Sequence, residues 1–307
     1  MRSAAVCAAS LVLGLASCDI GKITVKTTSK VLLRAQPSLK MESDYELARQ
    51  AIPGTLKTVE GFWMVDPENP NLIRILTEGY CQYGTGFVED DWEAAKFAKN
   101  IEQTDYHNER STKIFTRCLN YALLNLGERW QKGIFGTPDV VAKLLADTNI
   151  NCRFSLLFAG LALGSLVNHN LTRIEMLVNL PTVEAILNRV LEMDKANPPT
   201  DKAHAAMPRI ALGMLATARP KALGGKPEEG QKHFEAAIAL TEGKYLLPRV
   251  LMAYRVGKAN NDQAFFHNQL KIVIETPPSV WPEQRLANEV AHRKARRYLR
   301  HEKELFQ

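Results

Sequence analysis

Five cysteines in 307 residues leave little material for covalent stapling. Cys81, Cys118 and Cys152 are spaced neither as a CxxC redox pair nor as a zinc knuckle. They read either as small buried hydrophobes or, in an oxidising compartment, as one disulfide with a spare thiol. Catalytic signatures are lacking too: there is no HExxH, GxSxG elbow, Walker loop or GxGxxG, and Gly84-Thr85-Gly86 is too short to cradle phosphate. No two of the seven histidines have metal-ligand spacing on one helix. These absences argue against an enzyme and against a resident metal or cofactor. Long apolar runs are also missing from the interior. Phe154 to Val167 covers 14 residues, short of the roughly 20 that cross a bilayer. Its small residues, Gly160 and Gly164 among them, suit a buried helix or the wall of a ligand groove.

The start of the chain carries the strongest local signal. Arg2 precedes an apolar stretch from about Ala4 to Leu15, which closes in Leu15-Ala16-Ser17-Cys18. That length suits a signal peptide. An aliphatic residue, two small residues and a cysteine match the lipobox of bacterial lipoproteins, in which the thiol accepts a diacylglycerol. The expected organisation is a signal peptide over 1–17, a lipidated N-terminus and polar tether over 18–42, and a helical domain over 43–307. Asp19 favours retention at the inner membrane, with the outer membrane left open. Processing would remove one basic residue and lower the +6 balance to +5. Much of that excess lies between His292 and Lys303, which suits anionic headgroups or an acidic protein face. A nucleic-acid partner is not expected of an exported chain.

Beyond Ser43 nearly every segment follows a helical period, so the fold class is all-α. The apolar spacing predicts helices over 43–51, 53–66, 70–84, 90–103, 106–130, 137–147, 151–168, 180–194, 201–217, 227–241, 245–258, 261–275 and 282–304. A short alternating stretch at Ile23-Val25 suggests some extended structure in the tether. Glu89-Asp90-Asp91 reads as an acidic helix start. Short, proline-marked connections imply antiparallel hairpins. Val183, Leu187, Val190, Leu191 and Met193, ended by Asp194 to Pro198, repeat a pattern found at Thr55 to Pro70 and again at Gly230 to Gly243. Such spacing is similar to the second helix of a tetratricopeptide (TPR) unit and suggests a degenerate TPR-like solenoid or superhelical bundle. Tyr80, Tyr83 and Phe87 share one helical face and make a candidate cleft for an apolar ligand together with Gly160 and Gly164; core packing is the commoner use of such a stripe.

Two further blocks are more specific. Arg219-Pro220-Lys221-Ala222-Leu223-Gly224-Gly225 leads into Lys232 to Ala237, and Arg285-Leu286-Ala287-Asn288-Glu289 runs into Lys294 to Arg297. With Ala48 to Pro53 and Asp66 to Pro70, these resemble the T component (TatT type) of tripartite ATP-independent periplasmic (TRAP) transport systems over roughly residues 43–300. The resemblance implies a lipid-anchored helical scaffold that binds the P component, the soluble substrate-binding protein. It also implies self-association as a homo-oligomer, three copies being a guess, and help in passing a hydrophobic or carboxylate-bearing ligand. Arg219, Pro220, Gly224, Gly225, Asn288 and Glu289 are then candidate interface residues, although a pure connector also explains the Arg-Pro to Gly-Gly block. A general envelope adaptor and a stand-alone apolar-ligand carrier are the alternatives.

Overall fold

The computed structural model describes residues 19–307; Cys18 and residues 1–17, where a signal peptide and lipidation site are expected, lie outside the described residues. Within that span 81 % of residues are helical and no strand is present, so the chain is all-α. The helices are α1 (Ile20–Lys40), α2 (Tyr45–Val65), α3 (Pro70–Tyr83), α4 (Glu89–Phe97), α5 (Ile101–Leu126), α6 (Glu128–Gly133), α7 (Pro138–Ala146), α8 (Arg153–Asn168), α9 (Ile174–Leu177), α10 (Leu180–Ala196), α11 (Lys202–Ala216), α12 (Pro227–Leu240), α13 (Leu247–Met252), α14 (Gln263–Glu275), α15 (Arg285–Arg300) and α16 (Glu302–Leu305).

Side-chain caps explain many of the starts. Asp44 accepts from the Glu46 and Leu47 amides, Asn69 from Asn71 and Leu72, and Asp201 from Ala203 and His204. Each satisfies donors that a first helical turn leaves free. Pro70, Pro138 and Pro227 occupy first positions, where a missing amide proton does no harm.

Several elements depart from the sequence expectation: α5 runs unbroken from Ile101 to Leu126 and stops at Gly127 before α6, α9 lies where no helix is expected, and three further departures bear on packing. The segment read as a tether with an extended stretch is helix α1. Asp19 caps it through the Lys22 amide at 3.1 Å, and Val25 and Ser29 are buried beneath it. Leu32, Leu33 and Leu39 pack on the main core, so tertiary burial overrides the weak helix preference of its threonines. The break expected at Pro53 does not occur: α2 runs through it. The burial of Ala48, Ile52, Leu56 and Val59 along one face offsets the lost hydrogen bond. Between α3 and α4, Gly84–Val88 forms a π-helical turn instead of a loop. One extra residue in a turn rotates the remainder of the helix by about 100°, and that rotation decides where α4 points its acids.

Packing follows chain order. α2 lies on α3, α3 on α5, α5 on α8, α8 on α10, α10 on α11 and α11 on α12, with α13 to α15 following. α15 then returns to α1 and α2, closing the array on its own beginning. α8 sits at the centre, with Leu156, Leu157, Ala159, Ala162 and Leu163 fully buried. The Ile150–Asn168 segment is long and apolar enough to cross a membrane, but 61 % of its most apolar window is buried within the protein. Cys81 on α3 and Cys118 on α5 form a disulfide, and Cys152 is free.

Candidate functional site

The turn after α11 is built by its own chemistry. Pro220 cannot continue a helix, and the chain makes a short 3-10 turn over Lys221–Leu223. Gly224 follows at φ +84°, a left-handed conformation that a side chain disfavours. Gly225 donates to the Pro220 carbonyl at 3.0 Å, and a Cβ on it would stand 1.8 Å from the Arg219 carbonyl oxygen. The Lys226 amide then donates back to the Ala216 carbonyl at 2.8 Å, so the turn closes on the end of α11. Arg219 is held exposed on this frame and forms no salt bridge with a described residue.

This turn borders a groove of about 470 Å³. Leu177, Leu180, Pro181, Leu212 and Leu215 supply an apolar floor, while Glu184, Arg219, Lys226, Glu229 and His233 stand around it. The His233 Nδ1 is buried without a hydrogen-bond partner among the described residues. Burial, with help from Arg209, pushes the His233 imidazole below its usual pKa, so at neutral pH it offers a neutral ring. At its margin Val178, which lines the groove, and Ile174, one turn earlier, lie exposed at 67 % and 77 %. A wet apolar ridge beside an apolar groove rimmed with charge is suited to contact with another molecule. A second groove, about 350 Å³, is ringed by Lys202, Glu242, Lys244 and Trp281; its lysines are already paired to Glu242.

The other candidates lie elsewhere. Tyr80, Tyr83 and Phe87 are core residues at 4 %, 5 % and 3 % exposure. Tyr80 stacks on Tyr121 and accepts from Arg117; Tyr83 stacks on Phe87 and accepts from Arg110. Gly160 and Gly164 face α10 instead: Ile186 and Leu187 would stand 3.0 and 3.2 Å from a Cβ at Gly160, and Val183 3.5 Å from one at Gly164. The five residues expected to share a cleft therefore serve two separate packing interfaces. Asn288 is fully buried, accepting from the Leu246 amide and donating to the Lys244 and Pro278 carbonyls. It pins α15 to the α12–α13 connection. Glu289 pairs with Arg285 at 2.7 Å, one turn along its own helix.

Sequence reading missed a buried charge network. Asp90, fully buried, accepts from Arg297 and from Arg293 at 2.6 Å each. Glu93 accepts from Arg297 at 2.6 Å, Lys294 at 3.1 Å and the Tyr298 hydroxyl. Burial alone would raise both carboxyls; the Lys294 and Arg297 charges override it and hold them below the usual range. Of the three acids read as a helix start, Asp90 thus joins Glu93 in clamping α4 to α15, while Glu89 pairs with His169 and Asp91 with Arg49; much of the basic excess after His292 is turned inward. A smaller cluster joins three helices at Glu78, which meets Lys40 at 2.6 Å and His204 at 3.1 Å. Burial opposes its ionisation, but the His204 hydrogen bond and the His204 and Lys40 charges bring it to about 2. Among the described residues no group of three or more His, Cys, Asp or Glu is arranged to hold a metal ion.

The described residues thus form a helical array whose last long helix returns to its first ones, with paired charges in its interior and an apolar groove on its surface. Its family is shown by a family model described as "TRAP transporter T-component", which matches residues 41–306. The chain belongs to that family and has a role in a TRAP transport system. No curated protein matches it.

Proposed function

We propose that the protein is a lipid-anchored scaffold on the periplasmic side of a bacterial membrane. Cys18 carries the acyl chains, and the folded array binds the P component of its transport system by non-covalent contact, without turnover. The docking face is the groove bordered by the Arg219–Gly225 turn, together with the Ile174 and Val178 ridge. The observation that carries this reading is the coincidence of the family-signature turn with the groove of about 470 Å³ and its exposed apolar margin. An apolar floor with a neutral imidazole and, on its rim, Arg219 without a salt bridge to a described residue also suits a ligand with an apolar body and a carboxylate head. Self-association of the scaffold belongs to the same reading.

A pull-down from bacterial membranes tests it. The intact chain is expected to recover a periplasmic substrate-binding protein, and the surface variant Ile174→Asp/Val178→Asp to lose it while keeping its fold. Recovery of cell-wall or secretion proteins in its place would overturn the transport-scaffold reading. Cys18→Ala, followed with radiolabelled palmitate, tests the anchor; unchanged labelling would remove it.

A further inference from the structure

α1 carries a run of charge that the fold does not use. Its 21 residues contain Lys22, Lys26, Lys30, Arg34 and Lys40 and no aspartate or glutamate. The first four recur every fourth residue, which places them along a winding stripe on the helix surface. All four are exposed, and none forms a salt bridge with a described residue. Only Lys40 is committed inward, to Glu78 at 2.6 Å. Ile20 and Ile23 are exposed beside the stripe at 77 % and 55 %. A neighbouring face, roughly a quarter turn round the helix from the stripe, is fixed to the protein by Val25, Ser29, Leu32 and Leu33, so the stripe has one orientation relative to the whole molecule.

We propose that α1 lies along an anionic phospholipid surface, with Lys22, Lys26, Lys30 and Arg34 on the headgroups and Ile20 and Ile23 dipping between them. Charge complementarity and position favour this occupant. Each basic side chain near an anionic membrane contributes favourably and independently, and the stripe begins four residues after Cys18. The inference rests on the anchored reading for its setting. Acyl chains fix that the protein stays on a membrane; α1 fixes which way it faces, with the groove held at a set attitude to the lipid rather than swinging on a tether.

The test removes the acyl chains so that the two readings fail separately. The chain from residue 18 onward, which holds all of α1 to α16, is prepared with Cys18→Ser and sedimented with vesicles. Vesicles containing phosphatidylglycerol are expected to bind it at low salt, with affinity falling as salt rises, and vesicles of phosphatidylcholine alone to leave it in solution. The surface variant Lys22→Gln/Lys26→Gln/Lys30→Gln/Arg34→Gln is expected to bind several hundredfold more weakly, with its helical circular dichroism retained. Equal binding to both vesicle types, no binding to either, or full binding by the variant would each overturn the proposal. Palmitate labelling of the unaltered chain reports the anchor independently.

Discussion

Asp90 and Arg297 lie 207 positions apart in the chain and 2.6 Å apart in the fold. Both are buried. Arg297 also holds Glu93 and Asp90 also holds Arg293, so the contact is the centre of a bridge between the first and last thirds of the protein. Such a network contributes little net stability compared with an apolar contact of the same shape. Losing one partner, however, strands the other without water.

Asp90→Ala is accordingly expected to destabilise the protein by about 3–5 kcal/mol, measured by urea denaturation. Asp90→Ala combined with Arg297→Met should cost less than the two single changes added together, because the second change removes the stranded charge. Additive costs would show that the two side chains are not coupled.

Acid should weaken the fold through Glu78. Its carboxyl is depressed from 4.5 to about 2, so the folded state binds its proton less readily than the unfolded chain does. Its stabilising contribution is complete above about pH 5 and fades as pH falls towards 2, an effect on the order of 3 kcal/mol at most. Asp90 and Glu93 shift in the same direction. Glu78→Gln should lower stability at pH 7 and flatten the dependence between pH 5 and 3; a slope equal to the parent's would contradict the assignment.

Reduction should matter as well. The Cys81–Cys118 bridge closes a separation of 37 residues, and removing it as Cys81→Ser/Cys118→Ser is expected to cost about 2–4 kcal/mol. Of Cys81, Cys118 and Cys152, alkylation without reductant should label Cys152 alone. Mass spectrometry of the labelled tryptic peptides checks this directly.

Gly225→Ala separates the turn from the core. A Cβ 1.8 Å from the Arg219 carbonyl forces the backbone of the 219–225 turn to move, while the residues around it are mostly exposed. The expected outcome is a small loss of melting temperature with a large loss of P-component binding in the membrane pull-down. Arg219→Ala, which leaves the backbone alone, should show the side chain's share of that loss.

The sequence disclosed those parts of the fold that depend on neighbours in the chain. Asp44, Asn69-Pro70, Asp201 and Pro227 announce helix starts because capping and proline act within one turn, and the apolar periods of α8 and α10 are long enough to be unmistakable. What stayed hidden depends on distant partners. α1 is helical because Leu32 and Leu33 find a core that its own composition does not reveal. Gly84 and Gly86 look like a break, yet the helix continues through a π turn and swings Asp90 inward. The aromatic trio at Tyr80, Tyr83 and Phe87 has the same spacing whether it lines a cleft or fills a core. Only Arg110, Arg117 and Tyr121, arriving from α5, decide the matter. The signature turn was legible as a turn from its proline and glycines; the groove beside it was not, because α9 and the start of α10 supply half its floor.

The return of α15 to α1 and α2 has a mechanical consequence. An open row of helices peels from its tips, each pair leaving with little resistance from pairs further along. Here the final long helix is bolted to the opening ones, so there is no loose tip from which to start. A pull exerted at α1 would be shared with the far end of the chain at once, and the array should give way in a single event rather than unravel in steps.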